Sequence, residues 1–385
     1  MKKFRKTIYF LFACIVLVAM VGTACGRSAP VPAPTSAPTK EAVPEWQARW
    51  DKTLAAAKQE GSVRMYIIMS TGVREELAKG FQQKYGIELE YVAAPPADIA
   101  QRFISEASAG RNQADVFNTG GTTLLTVVKP KGLIVPFEPE LILPEVTNPK
   151  AWIEGRLPFT DKEGYMVGMI SSYESYATRN TDLVKDNEIT SFKDLLEPKW
   201  KGKLVINDPT TPGAGASFVA FLVRSWGEEE TKSYLTKLVA QDLVITRDWR
   251  QQVEWVAKGK YSLAIAPNPD NITQFMSVGA PISPIRAIEG GVKQTVSAGL
   301  SLPKNPPHPN ARTIFVNWLL SKEGMTALQK GFGQPTSRAD VSTDGLNPVF
   351  FPKPGDKVLP EIEEHFTIQA KMFPAVRQIF APLMQ

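Results

Sequence analysis

Strand-like and helix-like segments alternate along most of this chain. Residues 63–69 and 87–92 have the apolar, β-prone composition of strands, and residues 73–85 between them carry apolar side chains at helical spacing. The same alternation returns between residues 204 and 266. Strands that alternate with helices predict parallel sheets covered by helices on both faces, so we expect an α/β fold.

Two long β-prone runs, residues 165–178 and 296–302, interrupt this alternation. We interpret them as crossovers, which predicts two doubly wound α/β lobes joined by two hinge crossover strands. The predicted boundaries are 45–168 for the first part of lobe 1, 169–290 for lobe 2, 291–340 for the return part of lobe 1, and 341–385 for a C-terminal helical tail. We expect this tail to serve packing rather than function, with a second short helix starting at Pro374.

The N-terminus has the pattern of an export signal. Residues 1–24 combine four basic side chains, an apolar run over residues 8–21 and the small residues Gly22, Thr23 and Ala24. An N-terminal membrane anchor is the alternative, although the apolar run is short for a transmembrane helix. Residues 25–44 are rich in Pro, Ala, Ser and Thr, which predicts a disordered, solvated tether.

The charge balance gives no indication of a nucleic-acid partner. The formal net charge of +5 includes the four basic residues of the predicted signal, which carries no acid, so the remaining chain is almost neutral. A nearly neutral protein has no general electrostatic attraction for nucleic acid or for a membrane surface. Of the two cysteines, Cys14 lies inside the predicted signal and Cys25 directly follows it.

Three stretches resemble the solute-binding proteins of ABC importers, in particular the ferric-iron-type family. They are "YATRNTDLV" (176–184), "SFKDLLEPKWKGKLVINDPTTPGAGAS" (191–217) and "ARTIFVNWLLSKEGMTALQK" (311–330). The resemblance covers about residues 62–341. It implies a type II periplasmic binding fold, a monomer that captures a small solute by hinge closure, and delivery to ABC permease and ATPase subunits.

Cys25 is similar to the lipidated cysteine of bacterial lipoproteins, because it directly follows small residues at the end of a signal. Lipidation there would anchor the exported protein to the outer face of the cell membrane or in the periplasm. Two acyl chains give durable anchoring, where one chain gives only marginal binding.

The expected ligand contacts lie in loops that follow strands, because open α/β sheets bind ligands beyond the carboxyl ends of their strands. Small residues at a helix start expose backbone amides, which favour an anion. The alternative for each loop is a cap and turn without ligand. Trp249 could stack on a ligand, and the alternative is that its side chain is buried. The predicted contacts are Ser70, Thr71, Thr119, Gly120, Gly121 and Thr122 in lobe 1; Tyr173 and Tyr176 at the hinge; and Thr210, Thr211, Gly213, Ala214, Gly215, Arg247, Asn268 and Asp270 in lobe 2.

Arg247 is expected either to pair with a ligand carboxylate or to form a salt bridge with an acid of the protein. The resemblance suggests iron, but ferric-binding members use two adjacent tyrosines where this chain has "NPDN" (268–271), and no adjacent tyrosines occur in it. We therefore predict an anionic solute, no metal site and no cofactor, with Fe(III) or another metal ion as the alternative.

Two other classes of function are weighed. An enzyme is disfavoured, because "PGAGAS" (212–217) lacks the lysine of a Walker A loop and does not match the G-x-S-x-G elbow. A ligand sensor for a signalling receptor would have the same fold, and the sequence does not separate that role from import.

Overall fold

The structure is a computed structural model that describes residues 43–294 and 299–384. The predicted signal peptide, Cys25 and the predicted tether up to residue 42 lie outside the described residues. In the part that is described, no helix is long and apolar enough to cross a membrane.

The helices and strands follow the predicted alternation. The helices are α1 (Glu45–Glu60), α2 (Thr71–Tyr85), α3 (Pro96–Ser108), α4 (Pro144–Thr147), α5 (Ala214–Trp226), α6 (Glu228–Val239), α7 (Trp249–Ala257), α8 (Pro269–Ser277), α9 (Pro309–Leu320), α10 (Lys322–Phe332) and α11 (Glu363–Phe380). The strands are β1 (Ser62–Ile67), β2 (Glu88–Ala93), β3 (Val116–Asn118), β4 (Ile134–Val135), β5 (Val167–Gly168), β6 (Ser172–Glu174), β7 (Ala177–Asn180), β8 (Leu204–Asn207), β9 (Val244–Thr246), β10 (Leu263–Ile265), β11 (Ile282–Pro284), β12 (Gly291–Gln294), β13 (Gly299–Pro303) and β14 (Val358–Pro360).

The first sheet forms lobe 1 and has the strand order β2-β1-β3-β13-β4, with β5 paired to β13. β1 runs parallel to β2 and β3, and β13 is antiparallel to its neighbours. Alternate side chains of a strand point to opposite faces, so Met65 and Tyr66 enter different apolar clusters. Both faces of the sheet are therefore buried.

The second sheet forms lobe 2 and has the order β11-β7-β10-β8-β9. β8 is parallel to β9 and β10, whereas β7 is antiparallel to β10 and β11. Val205 and Ile206 of β8 belong to two different apolar clusters, one on each face. The middle of each sheet is thus covered on both sides, as a doubly wound lobe requires.

A third sheet connects the lobes and has the order β14-β12-β6. The predicted crossover over residues 165–178 is divided into β5, β6 and β7. β12 lies before the predicted return run of residues 296–302, and β13, which begins at Gly299, overlaps that run. The tail supplies the third strand, β14, which runs parallel to β12.

The C-terminal tail differs from its prediction in two respects. α11 continues through Pro374, so the predicted second helix start at that residue is wrong. Proline removes one backbone donor from a helix, and here the packing of Met372 and Val376 in the lobe 2 core offsets that loss. The tail also reaches lobe 1, because Phe366 belongs to a lobe 1 cluster.

Candidate functional site

A cavity of about 80 Å³ lies between the two lobes, next to the hinge sheet. We call it the cleft cavity. Lobe 1, lobe 2, β6 and the tail all contribute to its wall. Its lining residues are Ile68, Pro96, Gly120, Gly121, Thr122, Thr123, Glu174, Pro212, Gly213, Ala214, Ser217, Trp249, Asn268, Pro269, Glu361, Phe366 and Gln369.

The cleft cavity brings together predicted contacts from both lobes. From lobe 1, the loop after β3 contributes Gly120, Gly121 and Thr122. From lobe 2, the start of α5 contributes Gly213 and Ala214, and the start of α7 contributes the partly exposed Trp249. Asn268, also from lobe 2, caps α8 by accepting a hydrogen bond from the Asn271 amide. The loops therefore meet where the ends of the strands place them.

The turn that follows β8 binds an anion that the chain itself supplies. The Asp208 carboxylate accepts hydrogen bonds from the Thr210 amide (2.8 Å) and from the Thr210 hydroxyl (2.6 Å). Arg247 Nε donates to the other oxygen of the same carboxylate at 2.7 Å. Asp208 is buried, and neither Thr210 nor Arg247 lines the cleft cavity. Of the two alternatives for Arg247, the structure therefore shows the salt bridge with an acid of the protein, Asp208.

A second carboxylate of the protein lies near the start of α2. Asp270 of α8 is buried and interacts with the backbone amide of Ser70, which joins lobe 2 to lobe 1. Burial raises the pKa of Asp270 to about 7, while the Ser70 amide acts in the opposite direction. Thr71 is exposed at the first turn of α2, where its hydroxyl accepts a hydrogen bond from Arg74. None of these residues lines the cleft cavity.

Three further residues that were predicted to contact the ligand, Gly215, Thr119 and Thr211, do not line the cleft cavity. Gly215 packs so closely on β8 that an added Cβ would lie 2.2 Å from the Asn207 carbonyl oxygen. Its amide donates to the Asn207 side chain at 3.2 Å. Thr119 is fully buried, and its hydroxyl has no hydrogen-bond partner in the described part of the chain. Thr211 lies in the turn before α5, outside the cavity wall.

The two predicted hinge tyrosines are buried and do not line the cavity. The guanidinium carbon of Arg286 lies 4.5 Å from the centre of the Tyr173 ring, consistent with a cation–π contact. The Tyr176 hydroxyl lies 2.7 Å from the hydroxyl of Ser217, which does line the cavity. Tyr176 therefore reaches the site through its contact with Ser217.

The tail, which was expected to serve packing, also supplies part of the cavity wall. The Phe366 ring lies against Gly121, where an added Cβ would be 2.6 Å from the ring. Thr122 donates a hydrogen bond to Gln369. His365 Nε2 lies 2.8 Å from the Ser217 hydroxyl, and burial lowers the pKa of His365 to about 3, so this imidazole is neutral near pH 7.

The sequence prediction missed five lining residues with polar or aromatic side chains: Glu174, Ser217, Glu361, Phe366 and Gln369. Glu174 had a recognisable signal, since it is the only acid in the β-prone run of residues 165–178. The three tail residues lie beyond the stretch that resembles a known family. Phe366 and Gln369 are three apart, which places them on one face of a helix.

Glu174 is a carboxyl of this site whose pKa is strongly raised. It is buried, and burial together with the nearby carboxyls of Glu361 and Asp270 raises its pKa well above the usual value. Within residues 43–294 and 299–384, no group of three or more His, Cys, Asp or Glu side chains is arranged to hold a metal ion. A carboxyl in this state binds a proton or a positive group rather than an anion.

A family model for bacterial extracellular solute-binding proteins matches residues 70–326. The match spans more than half of the chain, and the protein belongs to this family. Its function is therefore the binding of a solute. The family and the similar structures are binding proteins rather than enzymes.

Comparison with known proteins agrees with this assignment. Over 287 residues the chain is 22% identical to Iron uptake protein A1 of Synechocystis sp., covering 70% of this chain and 74% of that protein. The structure resembles iron-bound HitA from Pseudomonas aeruginosa, with a TM-score of 0.66, 20% identity, and coverage of 83% and 99% of the two chains. It also resembles AfuA from Actinobacillus pleuropneumoniae with bound fructose-6-phosphate, with a TM-score of 0.69, 20% identity, and coverage of 84% and 99%. These similarities confirm the predicted type II periplasmic binding fold.

The Asp208 cluster gives a first prediction. Asp208→Ala leaves the buried donors of Thr210 without an acceptor, so the free energy of unfolding should fall by about 1–3 kcal/mol. Arg247→Ala removes an exposed partner and should cost no more than about 1 kcal/mol. Urea denaturation of both variants measures the difference. Equal losses would show that the Thr210 hydrogen bonds do not stabilise the turn.

Asp270 gives a pH-dependent prediction. Its pKa is raised from 3.8 to about 7 in the folded protein, so its contribution to stability is complete below the unfolded pKa and is lost as the pH rises through 7. Asp270→Asn should therefore melt at a higher temperature than the wild type at about pH 8, and at a similar temperature at about pH 4. Calorimetry across this range tests the effect, with the exposed Asp182→Asn as control. A gap between Asp270→Asn and wild type that does not change with pH would contradict the burial argument.

Proposed function

We propose that the protein is the solute-capturing subunit of an ABC importer, which passes its solute to a permease and an ATPase subunit. The observation that carries this proposal is the cleft cavity, whose wall combines both lobes with the strand that connects them. The membership of a family of extracellular solute-binding proteins supports it.

The geometry supports capture by hinge closure. Gly120 and Thr122 enter the cavity from lobe 1, whereas Gly213, Trp249 and Asn268 enter it from lobe 2. A solute held by one set gains the second set only when the lobes approach each other. Binding therefore shifts the balance between open and closed forms by the difference in contacts.

Fe(III) receives little support from the described side chains. Iron uptake proteins are among the relatives, but the residues that the structure describes contain no group of His, Cys, Asp and Glu suited to a metal. Asp270, the acid of "NPDN" (268–271), is buried against lobe 1 outside the cavity wall. A metabolite is accordingly the solute class that we propose.

We further propose that the protein works as a monomer outside the cytoplasm, held at the membrane by lipid on Cys25. The basic and apolar pattern of residues 1–24 and the small residues before Cys25 support this proposal. The tether of residues 25–44 would separate the lobes from the membrane surface.

Hinge closure makes a measurable prediction. A thermal-shift screen with carboxylates, phosphates, sulfonates, polyamines, sugars and Fe(III) should yield a compound that raises the melting temperature, because binding stabilises the folded state. Small-angle scattering of the purified protein should then show a smaller radius of gyration with that compound. A strongly stabilising compound that leaves the radius unchanged would count against closure.

The lipid anchor makes a separate prediction. In expressing bacteria, Cys25→Ser should move the protein from the membrane fraction to the soluble fraction, because the acylated side chain is lost. Cys14→Ser is the matched control, since this cysteine lies inside the predicted signal, and it should leave the distribution unchanged. Retention of the Cys25→Ser protein on membranes in a cleaved form would exclude lipid at this residue as the anchor.

A further inference from the structure

The wall of the cleft cavity contains acidic side chains. Glu174 of β6 and Glu361 of the segment after β14 are its ionisable lining residues in the described part of the chain, where no Lys, Arg or His lines it. Once Glu174 is ionised, an anionic solute would meet like charge at this wall. A positively charged solute would meet opposite charge, which favours association.

Glu174 is a buried group that lacks a partner. Its side chain is 8% exposed, and among residues 43–294 and 299–384 no donor makes a hydrogen bond to its carboxyl group. The pairing of Glu174 with Val292 fixes its backbone in the hinge sheet. Burying a carboxylate without a partner is costly, so a proton or an external positive charge is needed to complete this site.

Two of the positions that sequence reasoning assigned to an anion are already occupied by carboxyl groups of the protein. Asp208 accepts the hydrogen bonds of Thr210 and Arg247, and Asp270 lies at the Ser70 amide. These donors are therefore satisfied before any solute arrives. The carboxyl group of Glu174 has no such partner in the described part of the chain, and a positive charge would stabilise its ionised form.

The remaining wall suits an organic cation better than a metal ion. Trp249 and Phe366 present aromatic rings, which attract cations, and Ile68 and Pro96 are apolar. Hard metal ions require several oxygen ligands, and the described residues offer no such group. The volume of about 80 Å³ accommodates roughly five to eight water-sized groups, which is the size of a small metabolite.

We propose that the cleft cavity binds a small organic cation, an alkylammonium or quaternary ammonium compound, with its positive charge at Glu174 and its apolar part against Trp249 and Phe366. This inference rests on the proposed function, because it takes the cleft cavity as the solute site. It replaces the anionic solute expected from the sequence by a cationic one.

Binding should be coupled to the release of a proton. Burial keeps Glu174 protonated at a pH where an exposed glutamate is ionised, and a bound cation favours the ionised form. The groups around it are the carboxyls of Glu361 and Asp270, with His365 and Arg224 behind them. His365 stays neutral above pH 3, whereas Asp270 titrates near pH 7 and must be separated from Glu174 in the test.

The test uses choline and putrescine as probes, with isothermal titration calorimetry on the purified protein. The comparison compounds are inorganic phosphate, Fe(III) citrate and the uncharged alcohol in which carbon replaces the choline nitrogen. We expect one or both cations to bind at least about tenfold more tightly than each comparison compound. Glu174→Gln should remove most of this preference, and the exposed Glu75→Gln on α2 should retain it.

The pH series separates a charge role of Glu174 from a structural one. Cation affinity should rise with pH, and the measured enthalpy should depend on the ionisation enthalpy of the buffer, in both the wild type and Asp270→Asn. Glu174→Gln should lose both effects while its melting temperature stays equal or rises, because an unpartnered buried acid is removed. A lower melting temperature with unchanged cation binding would assign Glu174 a structural role and overturn the proposal.

The outcomes distinguish this inference from the proposed function. Tight binding of phosphate or Fe(III) citrate with no response to the cations, or cation binding that Glu174→Gln does not weaken, overturns the cationic site and leaves solute capture in place. If no compound of any class in the wider thermal-shift screen binds, the proposed function fails, and the inference fails with it.

Discussion

The pairing of β6 with β12 is the constraint on which the cleft depends. It joins the strand that leaves lobe 1 to the strand that returns from lobe 2, and it fixes Glu174 at the cavity wall. The approach is possible because Gly291 has no side chain; an added Cβ would lie 2.2 Å from the Glu174 carbonyl oxygen. Gly290 plays the same part towards β14, with a φ of +91° and the Lys357 carbonyl oxygen 2.1 Å from an added Cβ. Two adjacent glycines thus allow three strands to meet between the lobes.

The electrostatics of the cleft follow from which polar groups find partners inside the protein. Asp208 neutralises the donors of the turn after β8, and Asp270 occupies the amide at the start of α2. At these positions the two carboxyl groups interact with the donors that were expected to bind an anionic solute. Helix starts and small-residue turns therefore attract anions, as general physics requires, but the anion here is covalently part of the chain. Among the described residues, the carboxyl group of Glu174 is left without a hydrogen-bond donor.

The alternation of strands and helices was predictable from local hydrophobic periodicity. The strand predicted over residues 63–69 and the helix predicted over residues 73–85 differ from β1 and α2 by one or two residues at their ends. Which side chains contact each other across the fold was not predictable from the sequence. The side chain that satisfies Arg247 is 39 residues away, and Phe366 reaches Gly121 across 245 positions. α8 was missed because "NPDN" (268–271) has the composition of a loop, although Asn268 and Pro269 form a regular helix start. Identifying the cavity-lining residues that are brought in by such distant contacts requires the tertiary structure.

The tail is in contact with both lobes and so bears on how the cleft would open. α11 contacts lobe 1 through Phe366 and through the hydrogen bond between Thr122 and Gln369, whereas Met372, Val376 and Phe380 are buried in the lobe 2 core. Separating the lobes must break either the contacts of α11 with lobe 1 or its contacts with lobe 2. Removing three buried apolar side chains from a packed core costs more than separating one ring and one hydrogen bond. If the lobes separate, we therefore expect α11 to move with lobe 2 and the cleft to open along the face where Phe366 meets Gly121. Because Phe366 and Gln369 also line the cavity, a solute bound there touches the part of the tail that must move, which couples occupancy of the site directly to the position of the hinge.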